Sequence, residues 1–470
     1  MNNILKKSLL FFSALSILLL LLMFSPFGIS NDGRHYLSAA EALKESGVYA
    51  SLGRSASAAD LYFLHAWPPI YSGFIAAVAF LLDIPVAYSV RLIMVLVFFL
   101  TALLIWKNFK DSVPTWGLLG MLLYIINSGY YHSTNAEIFL VPALLFLYWK
   151  KDFFITYPFT LGLLAGALYL TKYSFSFIIP AFFLYLLVNT KGIDIIKINL
   201  MKNSGIIFRK IFFYLLGFLL LYCVWHYIVY ENSKLLYSHF SNPVRETVWY
   251  QYFRDFIITW NIFPERFENI ALYPGVVFFI AVAVFIFYDI VRKVQIAKKI
   301  TLNQFFWHIP LLGMLALFLL VAIIGTSTKR YLEFSDFFFF VILCTTLPVI
   351  SWHKAYRYLA IGLVLTQALY FLRINLPKIS TLSVENMYEN PLYRDINEQF
   401  AEGEIEKLYV VDLSFAGAVI NYEYWNKIER LSSDTGIAPF DEKTFFLFQE
   451  RDLEKIKFEL PKENTFYINR

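Results

Sequence analysis

Twelve apolar runs alternate with short polar connections along most of this chain, near 8–29, 68–83, 86–106, 113–130, 136–149, 156–171, 175–189, 211–230, 271–290, 305–325, 335–350 and 356–372. A helix needs about 20 apolar residues to cross the roughly 30 Å hydrocarbon core of a bilayer. The run 68–83 is short for that task, and it is opened by Pro68-Pro69 and closed by Asp83-Ile84-Pro85. It reads as a re-entrant or juxtamembrane helix, a non-spanning form allowed where protein or a polar cavity surrounds it. The pattern therefore predicts eleven spans plus that one helix. Past about residue 373 the apolar runs shrink to patches. Leu408-Tyr409-Val410-Val411 reads as a strand, Phe415 to Tyr424 as a following helix, and Thr444 to Phe448 as another strand. The expected organisation is an α-helical polytopic membrane module over 1–375 and a small α/β domain over 376–470.

Composition agrees. The chain of 470 residues is 59% apolar and only 16% charged, with 49 Phe and 32 Tyr, more apolar surface than a soluble globule could bury. The net charge of +5 is no nucleic-acid signature, because the basic residues lie mostly in connections between runs. These cluster at Lys6/Lys7, Lys107/Lys110, Lys150/Lys151, Lys191 through Lys210, Arg292 through Lys299, and Lys354/Arg357. The positive-inside rule assigns them to the cytoplasm. The connections at 30–67, 131–135, 172–174, 231–270 and 326–334 then fall outside, with everything after 373. Lys6 and Lys7 before the run Leu9 to Phe24 would also suit a signal peptide, but Ser25-Pro26-Phe27-Gly28 lacks the small-x-small cleavage pattern. A retained first helix is expected. Cys223 and Cys344 both fall inside apolar runs and imply no disulfide framework.

Chemistry concentrates where polar groups meet the ends of apolar runs. Ser30-Asn31-Asp32-Gly33-Arg34-His35-Tyr36 follows the first run directly. A carboxylate there is costly unless it is solvated, paired or working. Residues 33–46 read as an amphipathic helix ended by Gly47, with Ser30, Asn31 or Asp32 as its N-cap. Asp32 is thus either a cap or a reactive group, and Tyr36, four residues on, shares its face. Further on, His65-Ala66-Trp67-Pro68-Pro69-Ile70-Tyr71 places His65 and Trp67 at the interface. Tyr131-His132-Ser133-Thr134-Asn135-Ala136-Glu137 puts a second carboxylate at the outer start of a span. Glu137 and His132, with His65 nearby, are ligand types for a divalent metal ion, the one cofactor considered. Lys172 and the pair Lys329-Arg330, followed by Tyr331, place positive charge outside against the general bias. They answer either a neighbouring carboxylate or lipid headgroup, or an anionic substrate such as a lipid phosphate. The loop 231–270 reads as a partly helical cap without assigned chemistry.

In order along the chain, Asp32-Gly33-Arg34-His35-Tyr36, Trp67-Pro68-Pro69-Ile70-Tyr71, Arg91, the carboxylate opening a later span, Gly162…Gly166…Thr171-Lys172-Tyr173 and Lys329-Arg330-Tyr331 resemble the GT-C integral-membrane glycosyltransferases. The similarity is to the branch of protein O-mannosyltransferases and lipid A aminoarabinose transferases, and covers roughly residues 1–375. It implies a polyprenyl-phosphate-linked sugar as donor, an extracytoplasmic acceptor, and a place in a bacterial inner membrane. By the same resemblance Asp32 is the general base of an inverting displacement. Lys172, Lys329 and Arg330 neutralise the departing lipid phosphate, Tyr331 hydrogen-bonds it, and Tyr36, His65 and Trp67 contact substrate. Two departures stand out: His65-Ala66-Trp67 lacks the basic residue often found before the proline pair, and Asn135-Ala136-Glu137 replaces an Asp-containing turn. Two other classes fit a chain of this composition, a lipid-linked glycan transporter or flippase and a non-catalytic scaffold. The first requires charges deep in mid-span and repeat symmetry, neither of which the sequence displays.

Overall fold

The arrangement of the first helices decides how the outer loops meet. In a computed structural model of the chain, α1 (Asn2–Phe24) and α4 (Val86–Phe109) lie against each other and are tied at both ends. The structure describes residues 2–30, 32–52, 61–63, 67–189, 204–233, 353–379, 391–410, 413–430, 443–449 and 465–468, with single positions 337, 340, 341, 344 and 382. At one end Lys7 Nζ donates to the carbonyls of Lys110 and Val113. At the other, Arg91 Nη1 donates to the carbonyls of Met23 and Ser25, both at 2.8 Å. Those carbonyls end a helix and have no partner within it. A buried guanidinium satisfies them and places a cation at the negative end of the α1 dipole.

Because α1 ends where α4 begins, the intervening chain returns to the face it left. That stretch holds α2 (Gly33–Ser46), the short antiparallel pair β1 (Ala50–Leu52) and β2 (Leu61–Phe63), and α3 (Pro69–Leu82). The fourteen residues of α3 give about 21 Å of helix, a length it shares with α8. Tyr71 in its first turn lies near Glu137, and Asp83 at its end lies near Lys44 of α2. Phe80, Leu81 and Leu82 are exposed. Both ends of this short apolar helix thus lie close to α2 and the Glu137 turn, and its last residues form an exposed apolar flank.

The bundle continues through α5 (Thr115–Asn127), α6 (Leu140–Trp149), α7 (Lys151–Thr156), α8 (Pro158–Thr171), α9 (Ile178–Asn189), α10 (Ser204–Ser233) and α11 (His353–Tyr370). The segments Ile4–Phe24, Val86–Phe109, Gly205–Asn232 and Arg357–Asn375 are long and apolar enough to cross a membrane. The expected spans at 271–290 and 305–325, and most of 335–350, lie outside the described residues. α8 and α10 cross closely. Gly162 of α8 sits so near the Tyr214 carbonyl, and Gly217 of α10 so near the Phe159 carbonyl, that a side chain at either position would strike backbone. Small residues permit such an approach in lipid, where dispersion rather than water exclusion holds helices together. Near the Asp32 end, Asn127 donates to Gln367 and accepts from Asn375 at 3.0 Å, so α5 and α11 finish on the same side.

The chain after α11 therefore emerges on the Asp32 face. It forms α12 (Pro391–Glu402), β3 (Lys407–Val410), α13 (Leu413–Val419), β4 (Ile428–Arg430), β5 (Thr444–Gln449) and β6 (Thr465–Ile468). The strands make a parallel sheet in the order β4-β3-β5-β6. Ala42 of α2 and Ala50 of β1 share one buried cluster with Ile396, Phe400, Leu408 and Trp425. The C-terminal unit is thus seated directly on the helix that begins at Asp32.

Candidate active site

The residues around Asp32 owe their positions to two outer connections zipped together. Gly28 N–H donates to the His132 carbonyl at 3.0 Å, and Thr134 N–H donates to the Gly28 carbonyl at 3.1 Å. Ser30 Oγ adds a bond to the Thr134 carbonyl. Gly33 completes the contact, since a Cβ there would stand 2.6 Å from Thr134 Cβ and from its carbonyl oxygen. Only a residue without a side chain lets the start of α2 lie this close to the loop that carries Glu137.

The capping task falls on Ser30. Its Oγ accepts from Gly33 N–H at 2.9 Å, while its carbonyl accepts the Arg34 N–H at 3.2 Å. Asp32 makes no side-chain cap bond. Its carboxylate instead turns toward Lys172, whose Nζ donates to Oδ2 at 3.0 Å, and the same ammonium donates to Glu137 Oε1. Asp32, Glu137 and Lys172 come from three separate connections between helices and meet as one carboxylate–ammonium–carboxylate cluster. Glu137 is fully buried and the Lys172 side chain nearly so, whereas 31% of the Asp32 side chain stays exposed. Asp32 also sits immediately before the first turn of α2, at the end where the helix dipole favours negative charge.

Lys172 follows α8 directly and leads into a 3₁₀ turn, Tyr173–Phe177. Trp225 of α10 donates from Nε1 to the Tyr173 hydroxyl at 2.7 Å, anchoring that turn. The Trp225 ring meets Tyr49 edge-on at 5.5 Å, and Tyr49 donates its hydroxyl to the Trp67 carbonyl at 3.0 Å. Trp67 in turn stacks on His35 at 3.8 Å. Tyr49 and Trp225 carry no motif of their own, and nothing in their spacing announces that they join these turns.

Other expected site residues are placed less openly. Tyr36 is buried with its ring edge-on to Tyr71 at 5.1 Å, packed into the core beneath Asp32. Burial, and after it the Glu137 charge, push the Tyr71 hydroxyl above the ordinary tyrosine range. His132 donates from Nε2 to the Ile126 carbonyl at 2.8 Å, tying the turn after α5 to itself. Among the described residues no group of three or more His, Cys, Asp or Glu side chains could hold a metal ion. The Lys172 ammonium already takes the place between the two carboxylates that a divalent ion would need, so this donor set does not fit a metal as it stands. His65, Lys329, Arg330 and Tyr331 lie outside the described residues.

No family model and no curated protein matches this chain. Two solved structures share its fold. The crystal structure of ArnT from Cupriavidus metallidurans bound to undecaprenyl phosphate superposes with a TM-score of 0.52 at 12% identity, covering 91% of this chain and 86% of ArnT. The apo form of the same protein gives 0.50 at 12% identity, covering 96% and 88%. This chain therefore shares the overall fold of ArnT.

Proposed function

We propose that this protein transfers a sugar from a polyprenyl-phosphate donor to a hydroxyl on an extracytoplasmic acceptor, with Asp32 as general base. The observation that carries the reading is the meeting of Asp32, Lys172 and Glu137 at the outer ends of apolar helices, in a fold shared with a protein crystallised with undecaprenyl phosphate. In the reaction, the Asp32 carboxylate takes the proton of the acceptor hydroxyl. The acceptor oxygen then bonds to the anomeric carbon while the bond from that carbon to the phosphate oxygen breaks. The sugar leaves with inverted configuration and the lipid keeps its phosphate.

Lys172 orients the base in this reading. Its bond to Oδ2 fixes one carboxylate oxygen, and the Glu137 carboxylate on its other side holds the ammonium in place. Positioning of this kind is worth most when it is complete before substrate arrives. Lys329, Arg330 and Tyr331 remain the proposed partners of the departing phosphate. A charged leaving group needs fixed donors in a site from which water is largely excluded.

The test uses membranes containing wild type or Asp32→Asn, supplied with a panel of labelled polyprenyl-phosphate sugars. Wild type should release sugar from at least one lipid, and Asp32→Asn should lower that rate at least a hundredfold with the protein still folded. Full transfer by Asp32→Asn, or no release by wild type across the panel, would remove the base assignment. A transporter would instead move an intact lipid-linked sugar across sealed vesicles without breaking the phosphate–sugar bond.

A further inference from the structure

At the end of the bundle away from Asp32, two cations stand against one tryptophan. α4 carries Arg91, bonded to the Ser25 carbonyl, near its start and Lys107 about 24 Å further along its axis. There Lys107 Nζ lies 5.7 Å from the centre of the Trp149 ring, and Lys150 Nζ lies 4.1 Å from it. Lys150 is the chain neighbour of Trp149, but Lys107 belongs to another helix, so the fold itself brings the two ammoniums together. Nothing acidic answers them. Among the described residues the ion pairs involve none of Lys107, Lys110, Lys150 and Lys151. The carboxylates of these connections, Asp111 and Asp152, are both exposed, and Asp111 lies close to Lys7.

Beside the lysines runs a strip of aromatic rings. Phe146 meets Trp149 edge-on at 6.0 Å and Phe154 at 5.8 Å. Phe153 then links Phe154 to Tyr157, at 5.4 Å and 5.1 Å. Phe154 is buried and seats the strip on the bundle, whereas Phe146, Trp149, Phe153 and Tyr157 are all exposed. Tryptophan and tyrosine favour the level of lipid headgroups, where one part of the ring is apolar and the other wet. Cations held against such a strip stand at the edge of hydrocarbon, within reach of a headgroup whose tails lie alongside.

We infer that Lys107, Lys150 and Trp149 bind the headgroup of an anionic phospholipid, with its tails along Phe146, Phe153 and Tyr157. The lysine stems are flexible, so oxygens of one phosphate can accept from both ammoniums. The indole face attracts both cations and gathers them before the phosphate arrives. Basic sites between membrane helices take anionic headgroups in this way. A zwitterionic headgroup brings its own cation to the lysines and is disfavoured. A bound lipid ties α4 to the corner between α6 and α7, and so stabilises the folded chain. This site is remote from the transfer reaction and stands whether or not Asp32 is a base.

The experiment titrates the full chain, purified in dodecyl maltoside, with dioleoylphosphatidylglycerol. Native mass spectrometry counts the bound lipid, and thermal unfolding follows its effect. Dioleoylphosphatidylcholine supplies the same tails without net charge, and inorganic phosphate the charge without tails. Phosphatidylglycerol should bind at least tenfold tighter than phosphatidylcholine, raise the unfolding temperature, and resist displacement by millimolar phosphate. Lys107→Gln combined with Lys150→Gln should weaken it at least tenfold, and Trp149→Leu severalfold, while Lys107→Arg combined with Lys150→Arg should keep it within twofold. Both lysines are exposed, so the lipid-free variants should unfold as wild type does. Removing two cations elsewhere, by Lys44→Gln with Arg394→Gln, should leave binding within twofold, as should Asp32→Asn, which keeps this site distinguishable from the transfer reading. Equal binding of phosphatidylcholine, displacement by phosphate, unchanged affinity in the Lys107→Gln and Lys150→Gln double variant, or equal weakening by the remote charge losses would overturn the proposal.

Discussion

Replacing Lys172 by Met tests the centre of the cluster most directly. The ammonium lies 3.0 Å from Asp32 Oδ2 and also bonds Glu137. At an effective dielectric near 20, one such contact is worth about 5 kcal/mol of Coulomb energy before desolvation is charged against it. Most of that is offset by the cost of taking the charges out of water, and the part-exposed Asp32 contributes less than Glu137. What survives is the asymmetry: deleting one partner of a buried pair strands the other, at about 3–5 kcal/mol. Lys172→Met should therefore lose about that much stability, nearly all of it through Glu137. Adding Glu137→Gln removes the stranded charge and should restore at least half the loss. The assay is thermal unfolding of the four proteins of this cycle in nanodiscs, with the coupling between the two positions as the readout. If Lys172→Met costs less than about 1 kcal/mol, or if Glu137→Gln adds to the loss, the ammonium is not held between these carboxylates. The same variant should lose transfer activity, because Asp32 would no longer have a fixed oxygen.

Three further outcomes follow from the same geometry. Ser30→Ala should cost about 1 kcal/mol, the usual loss of an N-cap, and lower transfer by loosening the first turn of α2, whereas Ser30→Thr should retain both; unfolding and single-turnover rates check this. Gly33→Val should push α2 away from Thr134 and reduce transfer at least tenfold, with Gly33→Ala intermediate, read by activity at matched protein levels. Glu41 gives a pH signature outside the membrane. Its pKa of about 7 in the folded chain is above the ordinary glutamate value, so its contribution favours folding at low pH and is lost as pH rises through 7. Protease resistance of the C-terminal unit should fall as pH rises from about 4.5 to 7, and Glu41→Gln should flatten that dependence.

Apolar spacing made the helices legible, and the proline pair with Asp83-Ile84-Pro85 marked the two ends of α3. Charge bias placed Asp32, Glu137 and Lys172 on one face, and their cost at a membrane boundary drew attention to each. What remained hidden was their mutual distance. For Lys172 the sequence left pairing with a neighbouring carboxylate and contact with a lipid phosphate both open, because spacing along a chain does not show that two carboxylates flank it. Asp32 read equally as a cap because Ser30, two residues earlier, offers the same chemistry, and only the bond to Gly33 N–H separates them. The strand and helix of the C-terminal unit followed from local pattern, but its seat on α2 depends on Ala42 and Ala50. Alanines carry too little signal to announce an interface.

The three-part origin of the cluster also sets an order of events during synthesis. Asp32 and Glu137 are made before Lys172, which follows them by 140 and 35 residues. A nascent chain that ends before α8 would hold two like charges against each other at the mouth of the bundle, with nothing between them. The outer end of the early helices thus closes only when α8 is inserted. Lys172, the cation between the two carboxylates, is also the last piece of the cluster to be made.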